Sequence, residues 1–175
     1  IMTIDTDLQF YFETQLREAM TKFEGESAVG IVMDAATSEI HSMVSVENSS
    51  RRDLIVKQKA ITDVFEPGST LKPFVMALAL EENLIMPNTK IFCENGKMRI
   101  GDRWIKESDE EHNFKYLSPS EILALSSNIG IAKIGFKLGT DKLRGGLVKF
   151  GFNNKTLVDF PGESKGVIHE PPWNM

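Results

Sequence analysis

Ser69 and Lys72 stand three residues apart in the stretch Phe65-Glu66-Pro67-Gly68-Ser69-Thr70-Leu71-Lys72-Pro73-Phe74. A serine hydroxyl is a poor nucleophile near neutral pH and needs an adjacent base. A lysine amine can be that base only if burial or a neighbouring cation lowers its pKa. Ser-x-x-Lys on a helix start brings both side chains to one face. The same residues have a plainer reading, because a serine between a Pro-Gly turn and a helix is a natural N-cap and a lysine one turn on is commonly solvated. On local physics alone the capping reading leads. A second group, Ser126-Ser127-Asn128, offers a hydroxyl and an amide on a turn between two expected helices. Such a turn is again usually capping chemistry, yet a hydroxyl and an amide are also what relaying a proton and holding a carbonyl require.

These residues need elements to position them. Thr6 to Gln9 reads as a capping box, followed by an amphipathic helix to about Lys22 through Leu8, Phe12, Leu16, Ala19 and Phe23. Ser27 to Met33 and Glu39 to Val46 read as strands of a β-hairpin across Asp34 to Ser38. The polar run Asn48 to Asp63 is expected to be loop with some helix. A helix is expected from Thr70 to Asn83, with Pro73 in its first turn, where a missing N–H costs least. Flanking Phe65, Leu71 and Phe74 would bury Lys72. Pro87 to Asn113 reads as a small excursion with short strands and an Asn95-Gly96 turn. Ser118-Pro119-Ser120-Glu121 starts a short helix ending near Leu125. Further helices are expected at Ile129–Leu138, closed by Gly139, and from Thr140 as cap to Phe150; the tail is irregular.

Composition narrows the function classes. The 175 residues are 41% hydrophobic and 26% charged, ordinary for one globular domain, and the net charge of −5 with scattered basic residues argues against nucleic-acid binding. No run approaches the length of a membrane span and no signal peptide opens the chain. Cys93 is alone, so neither an internal disulfide nor a cysteine metal site is expected. His41, His112 and His169 lack ligand spacing, so no metal is expected. Asp109-Glu110-Glu111 reads as a solvated loop, Arg51-Arg52 as a surface pair, and Trp104 and Trp173 as packing residues.

Ser-x-x-Lys with a Ser-Asp-Asn-type triplet and Lys-Thr-Gly marks the serine β-lactamases and penicillin-binding proteins. The surrounding sequence resembles the transpeptidase domain of class B penicillin-binding proteins. The likeness runs through Thr3-Ile4-Asp5-Thr6-Asp7-Leu8-Gln9, the hairpin from Val32-Met33-Asp34 to Glu39-Ile40, Ala60 to Pro73 around Ser69, and Gly151-Phe152 to Glu163. Departures are Ser38 and Leu157 where the family has glycine, and Leu71 where phenylalanine is common. No Lys-Ser/Thr-Gly triplet occurs; Lys155-Thr156-Leu157 and Ser164-Lys165-Gly166 do not supply it.

The resemblance implies a mixed α/β, penicillin-binding-protein/serine β-lactamase-like fold. It implies a partial domain over 1–175, with a helical subdomain, an N-terminal helix and two sheet strands, and without the strand that carries the third motif. It implies a parent serine D,D-transpeptidase that crosslinks peptidoglycan. Ser69 would be nucleophile, Lys72 base, Ser126 proton relay and Asn128 the substrate-amide holder, with no cofactor. The implied partners are peptidoglycan stem peptides, β-lactam antibiotics and cell-division or elongation proteins, on the periplasmic side of the inner membrane, with an anchor outside this chain. The chain alone would be inactive. Two alternatives stay open: a serine β-lactamase or penicillin sensor, and a non-catalytic scaffold of the wall-building machinery.

Overall fold

The computed structural model describes residues 2–48, 57–109 and 111–170. Arg51, Arg52, Glu110 and Trp173, singled out above, lie outside the described residues. The chain forms two compact units, Ile1–Val64 with Leu157–Ser164, and Phe65–Thr156 with Lys165–Met175.

In the first unit, helix α1 (Thr6–Lys22) begins one residue earlier than the capping box suggested. Asp5 is its N-cap, accepting from the N–H groups of Asp7 and Leu8 at 3.0 and 2.9 Å. Gln9 is thereby released from capping and works on the hairpin of β1 (Ser27–Met33) and β2 (Ile40–Glu47). Its Nε2 donates to Met43 O at 2.9 Å, and its Oε1 accepts from Ser42 Oγ at 2.8 Å and Met43 N at 2.9 Å. A side-chain amide thus serves the outer edge of β2, where Gln58 Nε2 also donates to Met43 O at 3.3 Å, and the fully buried Ser42. The strands pair antiparallel from Ser27↔Glu47 to Met33↔Ile40, and Val44 and Val46 are buried. The connecting turn is tied by Asp34, which accepts from Ala36 N at 2.8 Å and Thr37 N at 2.7 Å. Ser38 sits at φ 63° and, in the tail of this unit, Leu157 at φ 64°, both in the left-handed region where glycine is at ease. Helix α2 (Lys59–Thr62) is the helical part of the expected polar run.

The second unit is built around α3 (Lys72–Glu81), entered through a 3-10 turn at Gly68–Leu71. The expected single helix is therefore two pieces, and the tighter first turn puts Ser69 and Lys72, three apart, in line. Gly68 makes the entry possible at φ 56°. Val75, Met76 and Ala79 of α3 face a core that includes Ile122, Ile129 and Ile134, each fully buried. The latter three come from α4 (Pro119–Ala124) and α5 (Asn128–Leu138). The expected capping box on α4 is present, with Ser118 N donating to Glu121 Oε2 at 2.6 Å. Gly139 ends α5 at φ 74° and is also the N-cap of α6 (Thr140–Lys149), so Thr140 does not cap. Phe74 packs edge-on against Phe150 and Phe152, with centroids 5.1 and 5.0 Å away.

Among its described residues the excursion holds three short strands, β3 (Ile91–Phe92), β4 (Lys97–Ile100) and β5 (Arg103–Lys106), and β6 (Tyr116–Leu117) follows just beyond it. They pair antiparallel as β3 with β6 and β4 with β5. Trp104 is 58% exposed rather than packed. It lies opposite Arg99 in the β4–β5 register, and the alternation of the hairpin turns Met98 and Ile105 to the core instead.

Candidate active site

Ser69 is exposed, and its hydroxyl caps nothing: the 3-10 turn has Pro67 and α3 has Leu71 as N-cap, neither with a side-chain cap bond. The turn is closed instead by Thr70, whose hydroxyl donates to Pro67 O at 2.5 Å. Ser69 Oγ instead accepts from Ser126 Oγ at 3.1 Å, across 57 residues of sequence.

Lys72 is 8% exposed. Phe65, expected to help bury it, is itself 84% exposed. The Ser126–Asn128 turn closes over the amine. Lys72 Nζ donates to Ser126 O at 2.5 Å, Ser126 Oγ at 2.9 Å and Asn128 Oδ1 at 2.8 Å. All three N–H bonds of an ammonium are used. Burial pulls the Lys72 pKa below its ordinary value, and the negative charge of Glu107 opposes that shift in part. Lys72 and Ser69 are therefore joined through Ser126.

The triplet divides its labour. Ser127, fully buried, is the N-cap of α5, its Oγ accepting from Gly130 N at 3.0 Å. Capping by the middle residue leaves Ser126 and Asn128 free to face Lys72. Ser126 is held at φ 52°, a conformation that a non-glycine residue adopts only when its surroundings impose it. Gly130 lets the turn sit tightly, since a Cβ there would lie 2.6 Å from Ile122 Cγ1. Asn128 Nδ2 donates to Lys106 O at 2.9 Å. With Oδ1 on Lys72, its amide keeps one N–H and one lone pair for anything bound in front of it.

Glu107 was not singled out from the sequence. It is 9% exposed, and its carboxylate accepts from Ser127 Oγ at 2.7 Å, Asn128 N at 2.6 Å and Ile129 N at 3.4 Å. No local spacing in a polar, acidic run signals such a role. Beside the string of polar groups lies a cavity of about 430 Å³, lined by Leu71, Val75, Ile131, Phe136 and Leu143, with Ser69 and Asn128 also on its wall. Of the histidines, His41 lies 3.3 Å from Thr3 O and His112 stacks on Phe114 at 4.8 Å. Among the described residues no helix is long and apolar enough to cross a membrane.

A hydroxyl on a 3-10 turn, a buried amine and a serine bridging the two give a path along which a proton can pass from hydroxyl to amine once the amine is neutral. The chain matches the penicillin binding protein transpeptidase domain over residues 28–175. It is 32% identical over 174 residues to the peptidoglycan D,D-transpeptidase FtsI of Buchnera aphidicola, covering 96% of this chain and 30% of that protein. Against penicillin-binding protein PbpB of Mycobacterium tuberculosis it is 27% identical, covering 98% of this chain and 26% of that one. The TP domain of Burkholderia pseudomallei penicillin-binding protein 3, in its apo structure, superposes with a TM-score of 0.84 at 30% identity, over 97% of this chain and 47% of that one. The chain belongs to the penicillin-binding protein transpeptidase family, in its class B, FtsI-like branch. It has the mixed α/β fold of that family and spans about 30% of the length of FtsI and 47% of the Burkholderia pseudomallei chain.

Proposed function

We propose that this chain carries the acylating groups of a peptidoglycan D,D-transpeptidase, with Ser69 as nucleophile, Lys72 as base, Ser126 as relay and Asn128 as amide holder. One observation carries the reading: a buried lysine of lowered pKa is linked to an exposed, non-capping serine through one intervening hydroxyl. While Lys72 carries its proton, Nζ donates to Ser126 Oγ. Once Lys72 is neutral, Nζ accepts from Ser126 Oγ–H, and Ser126 Oγ accepts from Ser69 Oγ–H. The same separations of 2.9 and 3.1 Å serve both directions.

In the acylation step Ser69 Oγ attacks the carbonyl carbon of the penultimate D-Ala of a donor stem peptide. Its proton moves along Ser126 to Lys72. The amide C–N bond breaks, and the proton returns through Ser126 to the departing D-Ala amine. The ester on Ser69 then passes to the amine of a neighbouring stem peptide, which loses a proton as Ser69 regains one. The free N–H of Asn128 faces the acyl-side amide of the donor. A β-lactam follows the first half, with its ring C–N bond opened. In this reading the whole protein supplies the Lys-Ser/Thr-Gly strand and its oxyanion donor, works on the periplasmic side of the inner membrane, and meets division or elongation proteins there. Loss of one oxyanion donor costs about 10² to 10³ in rate, so acylation depends on that strand. Labelling of the whole protein by a fluorescent penicillin tests the reading. The label is expected on the native protein, to persist, and to be lost in Ser69→Ala. Release within minutes would indicate a β-lactamase, and undiminished labelling of Ser69→Ala would remove Ser69 as nucleophile.

A further inference from the structure

Glu107 is a buried carboxylate that the reaction just described does not use. It is anchored at the end of β5, where its own N–H donates to Gly96 O at 3.3 Å. Oε1 accepts from Ser127 Oγ at 2.7 Å and Ile129 N at 3.4 Å, and Oε2 accepts from Asn128 N at 2.6 Å. The preceding residue, Lys106, receives the side-chain Nδ2 of Asn128 on its carbonyl at 2.9 Å. Two consecutive residues of one strand end therefore hold both the backbone and the side-chain N–H of Asn128. They also hold Ser127, whose neighbour Ser126 sits in a backbone conformation that nothing within the triplet itself favours.

The geometry points to Glu107 as a positioning residue for acylation, fixing the Ser126–Ser127–Asn128 turn so that Ser126 bridges Ser69 and Lys72. This inference rests on the acyl-transfer reading above. A carboxylate serves the turn better than a neutral group for two reasons. It accepts from three donors without offering one of its own, whereas an amide would turn an N–H toward Ser127 or Ile129. It also lies at the positive end of α5, where a negative charge is favoured. Its charge acts on Lys72 in the sense of retaining the proton, against the effect of burial. Glu107 thus sets both where the relay stands and how readily the base gives up its proton.

The test is the second-order rate of acylation by a soluble penicillin, measured against pH in the whole protein for the native form, Glu107→Gln and Glu107→Asp. Misplacing the relay by about an ångström is expected to lower the plateau rate of Glu107→Gln at least tenfold, since displacements of that order cost about 10²-fold. Removing the charge is expected to move the rising limb of its pH profile to lower pH. Glu107→Asp keeps the charge, so its limb stays in place while its rate is intermediate. A Glu107→Gln rate within about twofold of native overturns the proposal. So does a lowered rate whose pH limb is unmoved or shifted upward, which marks a helix cap whose loss merely loosens the site. If the Gln variant is not recovered folded, the Asp variant decides. A reduced rate at an unmoved limb, with native-like melting, supports positioning, and a native rate overturns it. Failure of the native protein to be acylated would be seen first, and would instead remove the acyl-transfer reading on which this one depends.

Discussion

Lys72 Nζ and Ser126 Oγ lie 2.9 Å apart, and that contact joins two segments 54 residues distant in sequence. Ser126 also reaches Ser69 Oγ at 3.1 Å, so Lys72 and Ser69 are joined through a bridging hydroxyl. The bridge exists because Ser127, one residue on, takes over the capping of α5. Two adjacent serines of the same type therefore have separable duties.

That separation is measurable. Ser126→Ala removes the bridge and is expected to slow penicillin acylation by about 10²-fold while changing stability by less than about 1 kcal/mol. Ser127→Ala removes a buried cap and one of the donors to Glu107, and is expected to cost about 2 kcal/mol. Thermal melting and acylation rate on the two variants read this directly. The account fails if the losses fall the other way round.

The depressed pKa of Lys72 gives acylation a pH dependence of known sign. Burial disfavours the ammonium, so the neutral amine forms below the ordinary lysine value of 10.5. The acylation rate should rise with pH and level off below that value. Lys72→Arg keeps the charge and cannot give up a proton, so it should lose about 10² to 10⁴ in rate. A flat pH profile, or an active Arg variant, would contradict a base role.

Leu157 is 85% exposed at φ 64°, and Ser38 is exposed at φ 63°. A left-handed conformation costs a side-chain-bearing residue about 1–2 kcal/mol, against roughly 0.5–1 kcal/mol for the greater freedom glycine loses on folding. Leu157→Gly and Ser38→Gly should each stabilise the protein by about 0.5–1 kcal/mol. Denaturant midpoints check the sign, and destabilisation would show that these turns are not strained.

Glu121 accepts from the Ser118 hydroxyl and N–H and from Lys90, and these bonds, that of the hydroxyl foremost, hold its pKa at about 2 instead of 4.5. A carboxyl depressed in the folded state contributes stability that is present above pH 4.5 and is lost as pH falls through about 2. The melting difference between native protein and Glu121→Gln should be plain at about pH 6 and vanish near pH 2. A constant difference across that range would show that the capping box does not depend on the ionised carboxyl.

Local chemistry was readable where local bonds decide it. Ser118 with Glu121, the Gly139 stop and the β1–β2 hairpin are fixed by neighbours in sequence, and all appear as expected. The spacing of Gln9 and Thr140 allows both to cap, but other groups decide: β2 draws Gln9 away, and Gly139 stands before Thr140 as cap. The choice between cap and nucleophile for Ser69 could not be made from FEPGSTLKPF, because it depends on Ser126 arriving from elsewhere in the chain. Glu107 was invisible for the same reason. A glutamate among Lys106, Ser108 and Asp109 looks solvated until the start of α5 covers it. Trp104 errs oppositely: its size suggested packing, while the register of a short hairpin turned it outward.

The most direct measurement is the mass of the whole protein after exposure to a penicillin, with the adduct located by peptide mapping. The account predicts one penicilloyl group per molecule, on the peptide that contains Ser69, and none in Ser69→Ala. An adduct on any other residue, or an unchanged adduct in Ser69→Ala, would contradict it.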